Sequence, residues 1–297
     1  MTALTLSLKA SLALALSLGL SGATLAATPK AKPAKAEAAK AEAVMADLTG
    51  YVAADPENTW VIDTSKGRVI VELRPDLAPL SVERIKKLTR EKFYDGLKFH
   101  RVIDGFMAQT GDPLGTGEGQ SSYEDVKGEF TLRRDSTFPM VRVAAPRGSV
   151  AGVVGITPVM TQPDALMAMT KDNKVHAWGL FCQGVAGMAR AENPDSANSQ
   201  FFLMRDTNPA LDKRYTVFGR VISGLEVVRT LKVGEPVENP DIMVRARILA
   251  DIPAAEAPKV MVMDTRSLAF RNLVDKMRKD RGADFSVCDI DIPARVN

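Results

Sequence analysis

The sequence predicts a mainly β, closed architecture, and three observations predict it. Short apolar runs rich in Val, Ile, Phe and Met recur along the chain, separated by turn-forming Gly, Asn and Asp. Few stretches carry apolar residues at helical spacing. Those few do not alternate with strands in the way a parallel α/β sheet requires, so the strands are left to pair with one another.

The first 26 residues read as a secretory signal peptide. Lys9 supplies a weak positive start, and Ser11 to Leu20 is an apolar run too short to span a bilayer. Thr24 and Ala26 are the small residues before a cleavage point. No Cys follows the run, so the mature protein is expected to be exported, periplasmic and without stable membrane insertion. Residues 27–58 read as an Ala/Lys/Pro-rich linker that cannot bury a core, with Lys35 to Met45 able to be partly helical.

Order is expected from Thr59. Trp60 to Asp63 and Gly67 to Leu73 read as two strands joined by the turn Thr64-Ser65-Lys66-Gly67. Ser81 reads as an N-cap, with Glu83 in the first turn and Val82, Ile85 and Leu88 on one helical face. Strands follow at Phe99 to Ile103, Met107 to Thr110, Val185 to Met188, Phe201 to Met204 and Val217 to Ile222, with a helix at Leu225 to Leu231. Residues 133–184 read as a long, less regular insertion with strand-like Val150 to Ile156. Its Met160, Met167 and Met169 could line an adaptable binding surface, but the favoured reading is that they pack the insertion against the barrel. After Ala250, residues 251–297 read as an extension with a Pro/Ala linker and a helix from Ser267 to Arg281.

The bulk numbers bound function. A net charge of +3 over 297 residues gives no reason to expect nucleic acid or acidic lipid as the main partner. Two cysteines, Cys182 and Cys288, set no disulfide framework. They read as two separate buried thiols, with pairing open in an oxidising compartment.

One stretch concentrates chemistry. Phe99 to Asp112, FHRVIDGFMAQTGD, puts a His-Arg pair, a Phe-Met pair and a Gln close together. Later come Ser199 to Leu203 (SQFFL), Leu211-Asp212 and Val217 to Val221 (VFGRV). One basic side chain among aromatic and aliphatic ones suggests an apolar pocket with a single cationic donor at its rim. Such a site suits chemistry without a covalent step. No nucleophile with its base is evident, and His100 with His176 makes no ligand set, so neither metal nor cofactor is expected.

These blocks, FHRVIDGFMAQTGD with GTGEG, SANSQFFLM and LDKRYTVFGRV, resemble the signature blocks of the cyclophilin family of peptidyl-prolyl cis/trans isomerases. The resemblance covers roughly residues 59–250 and looks most like the exported bacterial branch. It implies a closed eight-stranded antiparallel barrel capped by two helices, with the active groove on its outside. By resemblance, Arg101 is the catalytic arginine. Phe106, Met107, Phe202 and Leu211 wall the proline pocket, His100 lies at its floor, and Gln109 positions substrate and arginine. The backbone at Arg190 and Ala191 binds an extended peptide, Gln200 stands beside the pocket, and Gly115 lines a neighbouring subsite. Tyr215 stands at a site position where eukaryotic members carry His, and Ala210 stands where many carry Trp, which implies weak cyclosporin binding.

The expected function is isomerisation of X-Pro bonds in proline-containing unfolded or extended segments, assisting the folding of exported proteins. The rival reading is a proline-peptide binding module or chaperone whose client surface is the insertion and the C-terminal helix. Arg101, Phe106, Gln109 and Phe202 together favour the enzyme, since binding alone needs no arginine.

Overall fold

The computed structural model describes residues 49–297, so the expected signal peptide and most of the expected linker lie outside the described residues. In chain order the elements are β1 (Tyr51–Ala53), β2 (Thr59–Thr64), β3 (Gly67–Leu73), α1 (Pro79–Arg90), β4 (Arg101–Ile103), β5 (Met107–Thr110), β6 (Leu132–Arg134), β7 (Val141–Ala144), β8 (Val150–Val154), β9 (Thr157–Thr161), β10 (Val175–Gly179), β11 (Val185–Met188), β12 (Phe201–Met204), β13 (Val217–Ser223), α2 (Leu225–Thr230), β14 (Met243–Ile248), β15 (Val260–Met263), α3 (Leu268–Arg281) and β16 (Ala294–Val296). Among the described residues the first strand is β1 at Tyr51, earlier than the expected Thr59, and it pairs antiparallel with β15 of the C-terminal extension. Local composition could not reveal that distant partner.

Eight strands form one antiparallel, curled sheet in the order β14-β2-β3-β13-β11-β12-β5-β4. The closed barrel expected from the sequence is not formed as a continuous ladder, because β14 and β4 stay edge strands. The outward N–H and C=O of Val102 in β4 are both taken by Gly234, at 2.9 Å each, while Met243 at the start of β14 accepts from Gly96 N–H and donates to the Leu97 carbonyl, just ahead of β4. An isolated bridge between Lys98 and Ile242 also spans the gap.

Side chains alternate across a strand, so one sheet serves two apolar layers. Trp60, Ile62, Val69, Val71, Leu73, Phe201, Leu203 and Phe218 point inward with Tyr94 and Phe99. Helix α1 adds Val82, Ile85 and Leu88 to this inner layer, and α2 adds Val228. The intervening residues Val61, Ile70, Phe202, Met204 and Val217 face outward into a second layer, shared with the insertion and the extension.

Helix α1 starts two residues before its expected cap. Pro79 fits the first turn, where its missing N–H costs nothing, and Ala78 offers no side-chain cap. Glu129 caps instead: its carboxylate accepts from the Leu80 and Ser81 N–H groups, both at 2.9 Å, and from the Ser81 hydroxyl at 2.7 Å. A carboxylate there meets the free N–H groups and the positive end of the helix dipole. Helix α3 begins as read, with the Ser267 hydroxyl accepting from Phe270 N–H at 3.1 Å.

The insertion is more regular than its sequence suggests. It forms a five-stranded antiparallel sheet in the order β6-β10-β9-β8-β7. Its strands are short, and Arg134, buried where the alternation calls for an apolar residue, and Pro158 obscure the pattern that marks a strand. Met160 packs into the outer layer, as expected, whereas Met169 is 81% exposed.

The extension docks on this layer. Phe270, Val274, Val287, Ile290 and Ile292 bury beside Val143, Val153 and Ile156 of the insertion and Trp178 of β10. Arg278 of α3 donates to the Val143 carbonyl at 2.7 Å. Buried Arg220 of β13 ties three parts together, donating to the carbonyls of Ile156 (3.0 Å), Ile290 (3.3 Å) and Gln183 (3.3 Å). Glu72 accepts from Ile156 N–H at 2.9 Å. Burial holds the Glu72 carboxyl above the usual carboxylate range, with Arg74 pulling the other way. Cys182 and Cys288 are joined by a disulfide with Cα atoms 5.1 Å apart, which corrects the expectation of separate thiols. The docking of the extension brings the pair together across 106 residues of sequence. Among the described residues no helix is long and apolar enough to cross a membrane.

Candidate active site

Register builds the site. In the β4–β5 hairpin Arg101 lies directly opposite Gln109, and across the next ladder Gln109 lies opposite Phe202. The row continues to Gly187 of β11. Residues opposite one another share a face, so a cation, an amide and an aromatic ring stand side by side on the outer surface. A glycine is required at 187, because an added Cβ would come within 2.7 Å of the Phe202 ring and 2.6 Å of the Phe181 ring.

The row opens on a cavity of about 210 Å³ lined by Arg101, Phe106, Met107, Gln109, Ala189, Arg190, Phe202, Leu211 and Tyr215. Phe181 stacks behind Phe202 with ring centroids 5.7 Å apart. Tyr215 meets Phe202 edge-on at 5.9 Å and Phe181 at 6.4 Å. Leu211 arrives on the short 3-10 turn Pro209–Leu211, which the Asn208 side chain caps by accepting from Ala210 N–H. The next residue, Asp212, accepts from Phe181 N–H at 2.9 Å. Burial pushes the Asp212 carboxyl up to about 6, against that N–H and Lys213.

Polar groups run along one edge. Arg101 Nη1 donates to Gln109 Oε1 at 3.3 Å, and Gln109 Nε2 donates to Gln200 Oε1 at 2.9 Å. Gln200 Nε2 donates to the carbonyls of Gly117 and Gly119, both at 2.8 Å. On its other side Arg101 Nε donates to the Glu235 carboxylate. A second cavity of about 330 Å³ adjoins the first, sharing Gln109, Ala189 and Arg190 and adding Gly117, Glu118, Ala191, Ser196 and Gln200. Arg190 is held in place: its guanidinium lies 4.6 Å from the Tyr215 ring centre and 5.6 Å from that of Phe130. It also donates to the carbonyls of Arg214, Ala191 and Glu192.

The structure thus brings together Arg101, Phe106, Met107, Gln109, Arg190, Phe202, Leu211 and Tyr215 at the first cavity, with Ala191 and Gln200 at the second. Two residues fall elsewhere. His100 is buried just ahead of β4 and is not among the residues that line either cavity. Burial pushes its imidazole below the usual histidine range, with the Asp112 carboxylate opposing. Gly115 faces the Lys98 side chain, and Gly117 takes its place in the second cavity. In the Arg190–Ala191 backbone, expected to meet peptide, the Ala191 N–H donates to the Ser196 hydroxyl at 3.0 Å. Sequence reasoning missed Phe181 and Glu235. Phe181 lies just past β10 in a stretch that reads as irregular from sequence, and Glu235 lies 134 residues from its partner with no motif around it.

Fold and site define a class: a curled antiparallel β enzyme whose outer face offers an apolar slot with one guanidinium beside it. Comparison with known proteins agrees. Residues 59–250 match the family model described as cyclophilin type peptidyl-prolyl cis-trans isomerase/CLD. A probable peptidyl-prolyl cis-trans isomerase of Brucella suis is 40% identical over 215 residues, covering 67% of this chain and 86% of the relative. A peptidyl-prolyl cis-trans isomerase of Schizosaccharomyces pombe is 31% identical over 183 residues, covering 60% of this chain and 90% of the relative. The crystal structure of cyclophilin AquaCyp293 from Hirschia baltica superposes with a TM-score of 0.79 at 38% identity, over 86% of this chain and 96% of that one. The chain belongs to the cyclophilin-type peptidyl-prolyl cis/trans isomerase family, and its activity is that isomerisation.

Proposed function

We propose that Arg101 catalyses rotation about X-Pro bonds by hydrogen bonding the prolyl nitrogen in the twisted state. Phe106, Met107, Phe202 and Leu211 hold the prolyl ring. Resonance gives the X-Pro bond a barrier of about 18–20 kcal/mol. Twisting ends the resonance, and the nitrogen becomes pyramidal and gains a lone pair. A guanidinium aimed there meets an acceptor that exists only near the transition state, which is selective stabilisation. Arginine suits the task because it stays charged and holds its donors in a fixed fork.

One charge-assisted hydrogen bond is worth roughly 1.5–3 kcal/mol. An acceleration of about 10⁴ needs about 5.5 kcal/mol. The remainder falls to the slot, which anchors the ring while the preceding carbonyl turns, and to removal of water that would hydrogen-bond the planar amide. The observation that carries this reading is the row Arg101, Gln109, Phe202 facing one cavity. A protease-coupled assay on a short X-Pro peptide tests it. Arg101→Ala should lose roughly tenfold or more in kcat/KM, about the worth of one such bond, with an unchanged circular dichroism spectrum. Near-wild-type turnover in the folded variant would refute it.

The clients of this reading are unfolded or extended segments of exported proteins, and the compartment is the periplasm. The apolar run from Ser11 to Leu20 with Thr24 and Ala26 supports export. N-terminal sequencing of protein from a periplasmic extract should begin at Ala27; recovery of the chain from Met1 in the cytoplasm would overturn it.

A further inference from the structure

The carboxylate of Glu235 is bound to the cation on which the reading above depends, yet nothing in the signature blocks includes it. Its backbone is fixed beside that cation. Gly234 exchanges both hydrogen bonds with Val102, each at 2.9 Å, and Val237 N–H donates to the His100 carbonyl at 3.0 Å. Residues 234–237 therefore run as a strap along 100–102, and Glu235 comes level with Arg101. Its carboxylate accepts from Arg101 Nε, while Gln109 accepts from Nη1 on the other side. A guanidinium has five N–H donors in a planar fork. Two contacts on different nitrogens fix the plane of that fork and leave Nη2, which has no acceptor among the described residues. Both side chains remain partly open to solvent, Arg101 at 37% and Glu235 at 56%. Without an anchor, an arginine this exposed samples many rotamers and must surrender them when it meets the twisted bond.

We propose that Glu235 is a positioning residue: it holds the Arg101 fork in its working orientation before substrate arrives, so that the free Nη2 end serves the prolyl nitrogen. This rests on Arg101 being the catalytic group. It assigns Glu235 no contact with the reacting atoms. Preorganisation of this kind raises kcat and leaves ground-state binding alone.

The test uses the full chain and four variants, Arg101→Ala, Glu235→Ala, Glu235→Gln and the Arg101→Ala/Glu235→Ala double variant, with kcat and KM measured on one X-Pro tetrapeptide. A half-exposed charged pair supports a loss of roughly fivefold in kcat for Glu235→Ala, with KM nearly unchanged. Glu235→Gln keeps an acceptor for Nε and should recover most of the loss. In the Arg101→Ala background Glu235→Ala should change nothing further. The Arg101 Nε–H nuclear magnetic resonance signal should be protected from exchange in wild type and lost in Glu235→Ala, a change that a purely structural role would not cause. If Arg101→Ala turns over like wild type, the catalytic assignment itself fails. If Arg101→Ala is inactive while Glu235→Ala is as fast as wild type or faster, Glu235 does not position the cation. A Glu235→Ala loss that persists in the Arg101→Ala background would equally overturn the proposal.

Discussion

Breaking the Cys182–Cys288 bond should cost more stability than any single contact in the outer layer. The bond closes a loop of 106 residues and joins β-sheet to extension. Loop-closure entropy for about 100 residues is worth roughly 4.7 kcal/mol at 25 °C. For a folded unit of this size each kcal/mol moves the melting temperature by about 2–4 °C, so the loss should be roughly 10–20 °C. The perturbation is Cys182→Ala/Cys288→Ala, and the assay is differential scanning calorimetry. Cys182 is fully buried, so part of the variant's loss will be packing. Reduced wild type separates the two: a chemical reductant should move wild type most of the way to the variant and leave the variant where it was. Thiol titration of denatured, unreduced wild type should find no free thiol. A shift under about 3 °C on reduction would refute the loop-entropy reasoning, and two titratable thiols would refute the bond itself.

Deleting residues 252–297 should lower the melting temperature or solubility more than it lowers turnover of a short peptide, because Phe270, Val274, Ile290 and Ile292 fill the outer layer and none lines the slot; an unchanged melting temperature would contradict this. Asp212 has a folded-state pKa raised to about 6 by burial. The folded state therefore holds that proton more tightly, and the stability it lends is full below the ordinary aspartate value and lost as pH rises through about 6. Asp212→Asn should accordingly gain on wild type in melting temperature between about pH 4 and pH 7, and a pH-independent difference would rule the effect out. Cyclosporin should inhibit weakly, since exposed Ala210, next to Leu211 at the slot, lacks the area and N–H donor of an indole. Ala210→Trp should tighten inhibition, and an unchanged inhibition constant would count against its place at the rim.

The strands that carry the site were legible because alternation and motif agree there. Met107–Thr110, Val185–Met188 and Phe201–Met204 fall where the apolar pattern puts them. The rule that Phe201 and Phe202 face opposite sides holds, with Phe201 against Trp60 and Tyr94 and Phe202 in the slot. Strand β14 was not legible, because its run MVRARI carries two arginines that answer Asp63 on the neighbouring strand. Strands β1 and β6 were hidden for a related reason: their partners are far away in sequence and their apolar runs are very short, whereas β8 of the insertion fell where Val150 to Ile156 read as strand-like. His100 lines neither cavity although it adjoins Arg101, because a motif gives adjacency along the chain and not which side chains share a cavity. Glu235 was invisible because its function depends on a strap pairing that no local pattern encodes.

The two tryptophans fall one in each layer. Trp60 is sealed inside the sheet against Tyr94 and Phe201, while Trp178 lies in the outer layer with the Lys213 ammonium 3.7 Å above its ring. The molecule therefore carries two fluorophores in different surroundings, one of them beneath a cation. Replacing either with Phe leaves a single emitter, so inner and outer layers can be followed separately through a denaturant titration. Lys213 is two residues from Leu211 in sequence, which makes Trp178 emission a candidate optical signal for a peptide settling into the slot.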